Sequence, residues 1–343
     1  MAELGFGIAG AGMVARYHAA GVARTPGARL VAVCREDAAR AEAAASQFGV
    51  PCEASLEVLL ARPDVDAVCI CTPSGQHAAQ AIAAAQAGKH VLVEKPMALT
   101  LADADALIAA CRDAGVRLGV ALQRRIDPVF GSVKAAIDAG ALGKLTLGAI
   151  GVPYLRPQSY YDSAAWRGTW ALDGGGALMN QGIHLLDLLV WYMGDAAEVQ
   201  ASAATLAHTI EVEDCVTAAL RFASGALGGV MATTAAAPGF PHRVEVYGDR
   251  GGVQIEGEQI VRWEVPGREP PEAVSAAGVA SAGAGASPTG IGAVGHTRIV
   301  GDFVAALREG RAPLVPGEEG RRSLALALAI YESARAGKTI AIT

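Results

Sequence analysis

Two side chains in this sequence have the chemistry to exchange a proton with a substrate hydroxyl. One is Lys95, in Glu94-Lys95-Pro96; the other is His184, in the run Gly174-Gly175-Gly176-Ala177-Leu178-Met179-Asn180-Gln181-Gly182-Ile183-His184-Leu185-Leu186-Asp187. An amine leaving the end of a buried strand can be partly desolvated, which lowers its pKa and lets it act near neutrality. An imidazole titrates there without help. Asn180 and His184 are four residues apart, with Asp187 one turn further, so the spacing predicts one polar face on a helix packed by Leu185, Leu186, Leu188 and Leu189. The glycines ahead of it would let a ligand approach the helix start. Taken singly, a surface lysine and a core histidine bonded to a carbonyl are the competing readings.

A second group of residues suits a diphosphate. Gly10-Ala11-Gly12-Met13-Val14-Ala15 follows an apolar run and opens a helix, so its glycines permit the tight turn and backbone N–H groups at the helix start can meet an anion. Gly10, Gly12, Met13 and Val14 are therefore expected to bind a dinucleotide. The second strand ends at Cys34, and the next residue is Arg35 rather than a carboxylate. A guanidinium suits a 2′-phosphate, so Arg35 leans the expectation toward NADP, while Glu36 and Asp37 keep NAD open. Thr72-Pro73-Ser74-Gly75-Gln76-His77 and Glu94-Lys95-Pro96 fall at the carboxyl ends of parallel strands, where ligands of open sheets bind. This places Thr72, Pro73, His77, Glu94 and Lys95 at the cofactor's edge.

The elements that must hold these residues are legible in the periodicity. Strands are predicted near Leu4–Ala9, Arg29–Cys34, Ala67–Cys71, His90–Val93 and Val116–Val120, alternating with helices at 14–24, 37–48, 76–87 and 101–114. That alternation is a doubly wound parallel sheet, a Rossmann domain over 1–122. After Asp127-Pro128, a helix to Ala139 leads into seven closely spaced strands between Leu145 and Glu264, interrupted by one helix over 177–193. Short connections predict antiparallel pairing, hence a second, α+β domain with a mostly antiparallel open sheet over 123–343. Residues 266–295 read as a long loop, and closing helices at 297–309 and 320–336 are expected to pack back toward the first domain.

Composition bounds the function. The 343 residues carry a net charge of −6 with 28 basic and 34 acidic residues dispersed, so no nucleic-acid footprint is present. No apolar run reaches 18 residues, and no membrane span is expected. The six cysteines form no CxxC pair and have no histidine at metal-ligand spacing, so no metal is expected and a reducing, cytoplasmic setting is.

These motifs in this order, GxGxxA, TPxxxH, EKP and GGGxLxxxGxHxxD, resemble the glucose-fructose oxidoreductase, inositol dehydrogenase and MocA (Gfo/Idh/MocA) family over almost the whole chain. The resemblance implies an NAD(P)-dependent dehydrogenase in which Lys95 and His184 face the reacting carbon of a sugar, cyclitol or sugar nucleotide, and a cis Lys95–Pro96 bond. The family usually has Asp where this chain has Asn180, and an amide orients a hydroxyl but is not a base. The Asn form looks like the branch of 3-keto-sugar formers. Gln123 resembles a cofactor-edge residue. Arg156, Tyr160, Trp166 and Arg167 could line a sugar site, since pyranose faces stack on aromatic rings and guanidinium groups bind oxygens. The resemblance also implies a homodimer or homotetramer paired through the second sheet. Alternatives are a redox-neutral, NAD-dependent glycoside-cleaving enzyme and a non-catalytic cofactor-sensing regulator.

Overall fold

The computed structural model describes residues 2–271, 285–286 and 293–342. The chain divides into two compact units: 1–126 with 292–321, and 127–291 with 322–343. In the first unit, β1 (Leu4–Ala9), β2 (Ala28–Cys34), β3 (Cys52–Glu53), β4 (Ala67–Ile70), β5 (His90–Val93) and β6 (Leu118–Val120) form one parallel sheet in the order β3-β2-β1-β4-β5-β6. Residues Ala67–Ile70 and Val91–Val93 are buried without alternation, as strands covered on both faces must be. The order reverses between β1 and β4, which opens a crevice at their carboxyl ends.

Helices α1 (Met13–Arg24), α2 (Ala41–Phe48), α3 (Leu56–Leu60), α4 (His77–Gln86) and α5 (Leu101–Asp113) make the crossovers. Gly49, Gly88 and Gly115 follow α2, α4 and α5, each with φ near +70°. Two short elements, β3 and α3, escaped the periodicity because neither is long enough to show one. The helix expected over 37–48 instead starts as a 3₁₀ turn at Ala38–Arg40, capped by Asp37 accepting from the Ala39 N–H. Helix α9 (Val294–Glu309) packs on α1 so closely that a side chain on Gly21 would meet the His296 carbonyl oxygen at 3.0 Å.

The second unit contains α6 (Pro128–Asp138), β7 (Leu145–Pro153), α7 (Gln158–Asp162), α8 (Ile183–Met193), β8 (Ala196–Ala204), β9 (Cys215–Phe222), β10 (Leu227–Thr233), β11 (Arg243–Gly248), β12 (Gly252–Glu256) and β13 (Gln259–Glu264). Helix α10 (Gly317–Ala336) and β14 (Ile340–Ala341) close the chain, and the boundary between units falls inside α10. The eight strands run β13-β12-β11-β7-β10-β9-β8-β14, antiparallel except for β7 and β10. On β10, Val230 and Ala232 are buried while Met231 faces out, so one side of the sheet packs under α8 and the other is open. The expected loop over 266–295 lies mostly outside the described residues. Among the described residues no helix is long and apolar enough to cross a membrane.

Candidate active site

The glycine turn is built for its task by two different constraints. Gly10 has φ +92°, and a Cβ there would meet the Cys71 carbonyl oxygen at 2.7 Å, so β4 excludes any side chain. Gly12 is the N-cap of α1, and a Cβ there would meet nothing within 4 Å. Among the described residues no side chain caps α1, and no acid lies in its first turn, so its leading N–H groups, those of Met13 and Val14 included, find no side-chain acceptor there and lie at the positive end of the helix dipole. An open, uncapped helix start at a topological switch point fits a dinucleotide's diphosphate.

Arg35 lies alongside this turn. Its NH1 donates to the Ala11 carbonyl at 3.4 Å, its NH2 is 3.9 Å from Asp37, and its Nε is buried without a hydrogen-bond partner among the described residues. Thr72 and Pro73 are half-buried at the end of β4, with Thr72 Oγ1 bonded to Gln80 at 2.8 Å. Gln123 sits in a 3₁₀ turn at Gln123–Ile126 with its Oε1 buried and without a hydrogen-bond partner among the described residues.

Two of the expected cofactor contacts are turned inward. His77 is 2% exposed, and its two ring nitrogens lie 2.8 Å from the carbonyls of Pro96 and Thr72. The neutral ring donates to one of these carbonyls, and with both nitrogens facing the protein it braces two loops. Glu94 is also buried: Oε1 pairs with His18 at 2.8 Å and with His296 at 3.3 Å, and Oε2 accepts from the Lys95 N–H at 3.2 Å. Burial pushes this carboxyl up, but the hydrogen bonds from the two imidazoles outweigh it and hold it well below the usual carboxylate range. His18, Glu94 and His296 are the one group of metal-capable side chains among the described residues, here joined by hydrogen bonds. Lys95 follows, half-buried, with a cis bond to Pro96.

In the second unit, Asn180 does not lie on an ordinary α-helix. Residues Ala177–Gly182 form a π-helical turn, and α8 begins at Ile183, one residue before the half-buried His184. A buried carboxylate caps the start of this turn: Glu213 accepts from Gly176 N–H at 2.9 Å, Leu178 N–H at 2.8 Å and Tyr331 Oη at 3.0 Å. Burial raises its pKa. The glycines before it make room for protein rather than ligand, contrary to the expectation from sequence. A Cβ on Gly176 would meet the Glu213 carbonyl oxygen at 1.9 Å, and one on Gly175 the Tyr331 hydroxyl at 2.1 Å.

Asn180 Nδ2 donates to Asp173 Oδ1 at 2.6 Å, and Asp173 Oδ2 accepts from Gly168 N–H. This fixes which way the amide points. Asp187 is fully buried and bonded to Ser323, so it belongs to the core and not to a polar face shared with His184. Arg156 is 1% exposed, with its NH1 on the Leu155 and Gly285 carbonyls and NH2 on Gln181 Oε1, which makes it a support under the site rather than a lining residue. Tyr160, Trp166 and Arg167 are gathered together: the Arg167 guanidinium carbon lies 4.3 Å from the Tyr160 ring centre and 4.5 Å from that of Trp166. Asp173, Gln181 and Glu213 carried no periodic signal of their own, although Gln181 stands inside the motif.

Two family models match the chain. Residues 4–122 match the oxidoreductase family with an NAD-binding Rossmann fold, and residues 130–254 match the GFO/IDH/MocA C-terminal domain. The chain belongs to the Gfo/Idh/MocA oxidoreductase family. It is 30% identical to the inositol 2-dehydrogenase of Rhizobium meliloti over 98% of both chains. It is 32% identical to the D-apiose dehydrogenase of Paraburkholderia graminis over 96% of this chain and 88% of that one. The WlbA dehydrogenase of Bordetella pertussis, solved in complex with NADH and UDP-GlcNAcA, superposes with a TM-score of 0.89 at 36% identity over 99% of each chain. As a Gfo/Idh/MocA member with such relatives, the protein is an NAD-dependent dehydrogenase acting on CH–OH groups.

Proposed function

We propose that this Gfo/Idh/MocA enzyme oxidises a secondary alcohol of a sugar, cyclitol or sugar nucleotide to the ketone, or runs the reverse. The observation that carries this is the open, uncapped start of α1 at Gly12, in a chain whose relatives over nearly its full length are named for sugars and cyclitols. A bound nicotinamide supplies the hydride acceptor. Gly10, Gly12, Met13 and Val14 hold the diphosphate, Thr72, Pro73 and Gln123 border the cofactor, and Arg35 extends NAD use to NADP. Lys95 and His184 exchange the hydroxyl proton, and Asn180 orients the hydroxyl without acting as a base. The protein works in the cytoplasm and pairs with a second copy through the open face of its eight-stranded sheet.

The test is a panel of sugars, inositols, uronates and nucleotide sugars assayed with NAD and NADP at 340 nm. Substrate-dependent accumulation of reduced cofactor is expected, slowed about 10²- to 10⁴-fold in Lys95→Met and His184→Gln with cofactor binding retained. Product formed without net reduced cofactor would instead point to the redox-neutral glycoside route. Near-normal turnover in both variants would remove the assigned proton exchange.

A further inference from the structure

Among the described residues Arg167 is a cation without an acid. Its NH1 donates to Tyr160 Oη at 2.6 Å, its Nε is buried with no partner, and it forms no ion pair among the described residues. Two aromatic rings fix its plane from the sides, Tyr160 and Trp166, so the guanidinium fork is held rigid before any ligand arrives. A second guanidinium, that of Arg156, lies 5.8 Å from the centre of the same Tyr160 ring. The nearby carboxylate of Asp173 already serves Asn180 and Gly168. Two guanidinium groups therefore stand around one ring, and Arg167 is the one for which no acid partner is found among the described residues.

Tyr160 adds a donor. Its oxygen accepts from Arg167 NH1 and from Gln181 Nε2 at 3.2 Å, which uses both lone pairs and leaves its own O–H to donate. Burial raises its pKa, so the phenol keeps that proton at neutral pH. Gln181 is the chain neighbour of Asn180, which ties this cluster to the residue that orients the reacting hydroxyl.

We propose that Arg167 and Tyr160 form an anion subsite, and that the substrate carries a carboxylate or phosphate seated between the Arg167 guanidinium and Tyr160 Oη. The inference rests on the dehydrogenase reading above and narrows its substrate class to acidic sugars or sugar phosphates. A preset guanidinium beside a phenol O–H offers donors to both oxygens of either group, and a hydroxyl-only sugar cannot supply the missing charge. Lysine at 167 would keep the charge but lose the fork.

The experiment measures binding apart from turnover. Trp166 fluorescence of the full chain with NAD is titrated with D-glucuronate, glucose 6-phosphate and neutral D-glucose, with Trp166→Phe as the control that removes the signal. At least one anionic sugar is expected to bind about tenfold or more tighter than glucose, and that ratio to collapse toward one in Arg167→Met and to fall in Arg167→Lys. Whichever anion binds better identifies carboxylate or phosphate. Equal affinity for all three sugars, or an unchanged ratio in a folded Arg167→Lys protein, overturns the subsite. If anions bind through Arg167 but no sugar in the panel is oxidised, the subsite stands and the substrate reading falls. If sugars are oxidised without preference for acidic ones, the reverse holds.

Discussion

His18 Nε2 lies 2.8 Å from Glu94 Oε1, with both side chains buried in the unit that carries the glycine turn. His296 reaches the same oxygen from α9, so one carboxylate ties α1, β5 and α9 together immediately before Lys95. Glu94→Gln replaces the charged acceptor shared by two buried imidazoles with a neutral amide, and should destabilise the protein by about 1–3 kcal/mol. Urea unfolding measures it, and a loss under about 1 kcal/mol would show that the cluster adds only ordinary neutral hydrogen bonds.

Stability should fall as the pH drops from 7 to 5. Burial lowers the His18 and His77 pKa values, against the opposing effect of the Glu94 carboxylate as acceptor at the one and of the Pro96 and Thr72 carbonyls at the other. Unfolded histidine titrates at ~6.5, so below that pH the unfolded chain binds more protons and folding is penalised. Glu94 acts lower: its depressed folded pKa contributes stability above about 4.3, lost only as the pH falls through the folded value. Melting curves across this range should show a shallower slope for His77→Gln, though a lower overall Tm. A flat wild-type profile contradicts this account.

Gly10 and Gly12 should separate folding from cofactor binding. Alanine at 12 enters open space at φ −86°, so the Tm of the cofactor-free protein should hold while NADH affinity falls about tenfold. Alanine at 10 must adopt φ +92° against the Cys71 carbonyl and should lower the Tm itself. Isothermal titration beside thermal melting distinguishes them, and a Gly12→Ala protein with wild-type NADH affinity would place the diphosphate elsewhere.

The residue at 180 is coupled to Asp173. The Asn180 amide touches the Asp173 carboxylate at 2.6 Å. Asn180→Asp would set two carboxylates against each other and should cost about 1–3 kcal/mol, with one carboxyl pKa raised. Asp173→Asn in the same chain should restore most of that loss. Additive effects in the double-mutant cycle would rule out the coupling.

Leu147, Leu227 and Met231 are 42%, 49% and 55% exposed on neighbouring strands of the open sheet face, with Leu147 opposite Leu227 in register. Burial against a second copy would account for that apolar surface. Met231→Glu should lower the molar mass measured by light scattering, and a wild-type monomer would exclude pairing through this face.

The sequence by itself determined the class of fold and the positions of the motifs. Alternating apolar runs and helical periods specify a parallel sheet without any long-range information, and the GxGxxA turn announces its ligand because backbone N–H groups at a helix start bind anions whatever surrounds them. Tertiary structure decided which way individual polar side chains point. Glu94 and His77 lie in motifs that suggest a ligand but turn into the protein because distant His18, His296 and the Pro96 carbonyl meet them there. Gly175 and Gly176 look like space for a substrate until Tyr331 and Glu213, far off in sequence, are seen to fill it. Local propensity is a property of neighbouring residues, whereas burial makes a polar atom seek whatever partner the fold brings within about 3 Å, and that partner has no fixed distance along the chain.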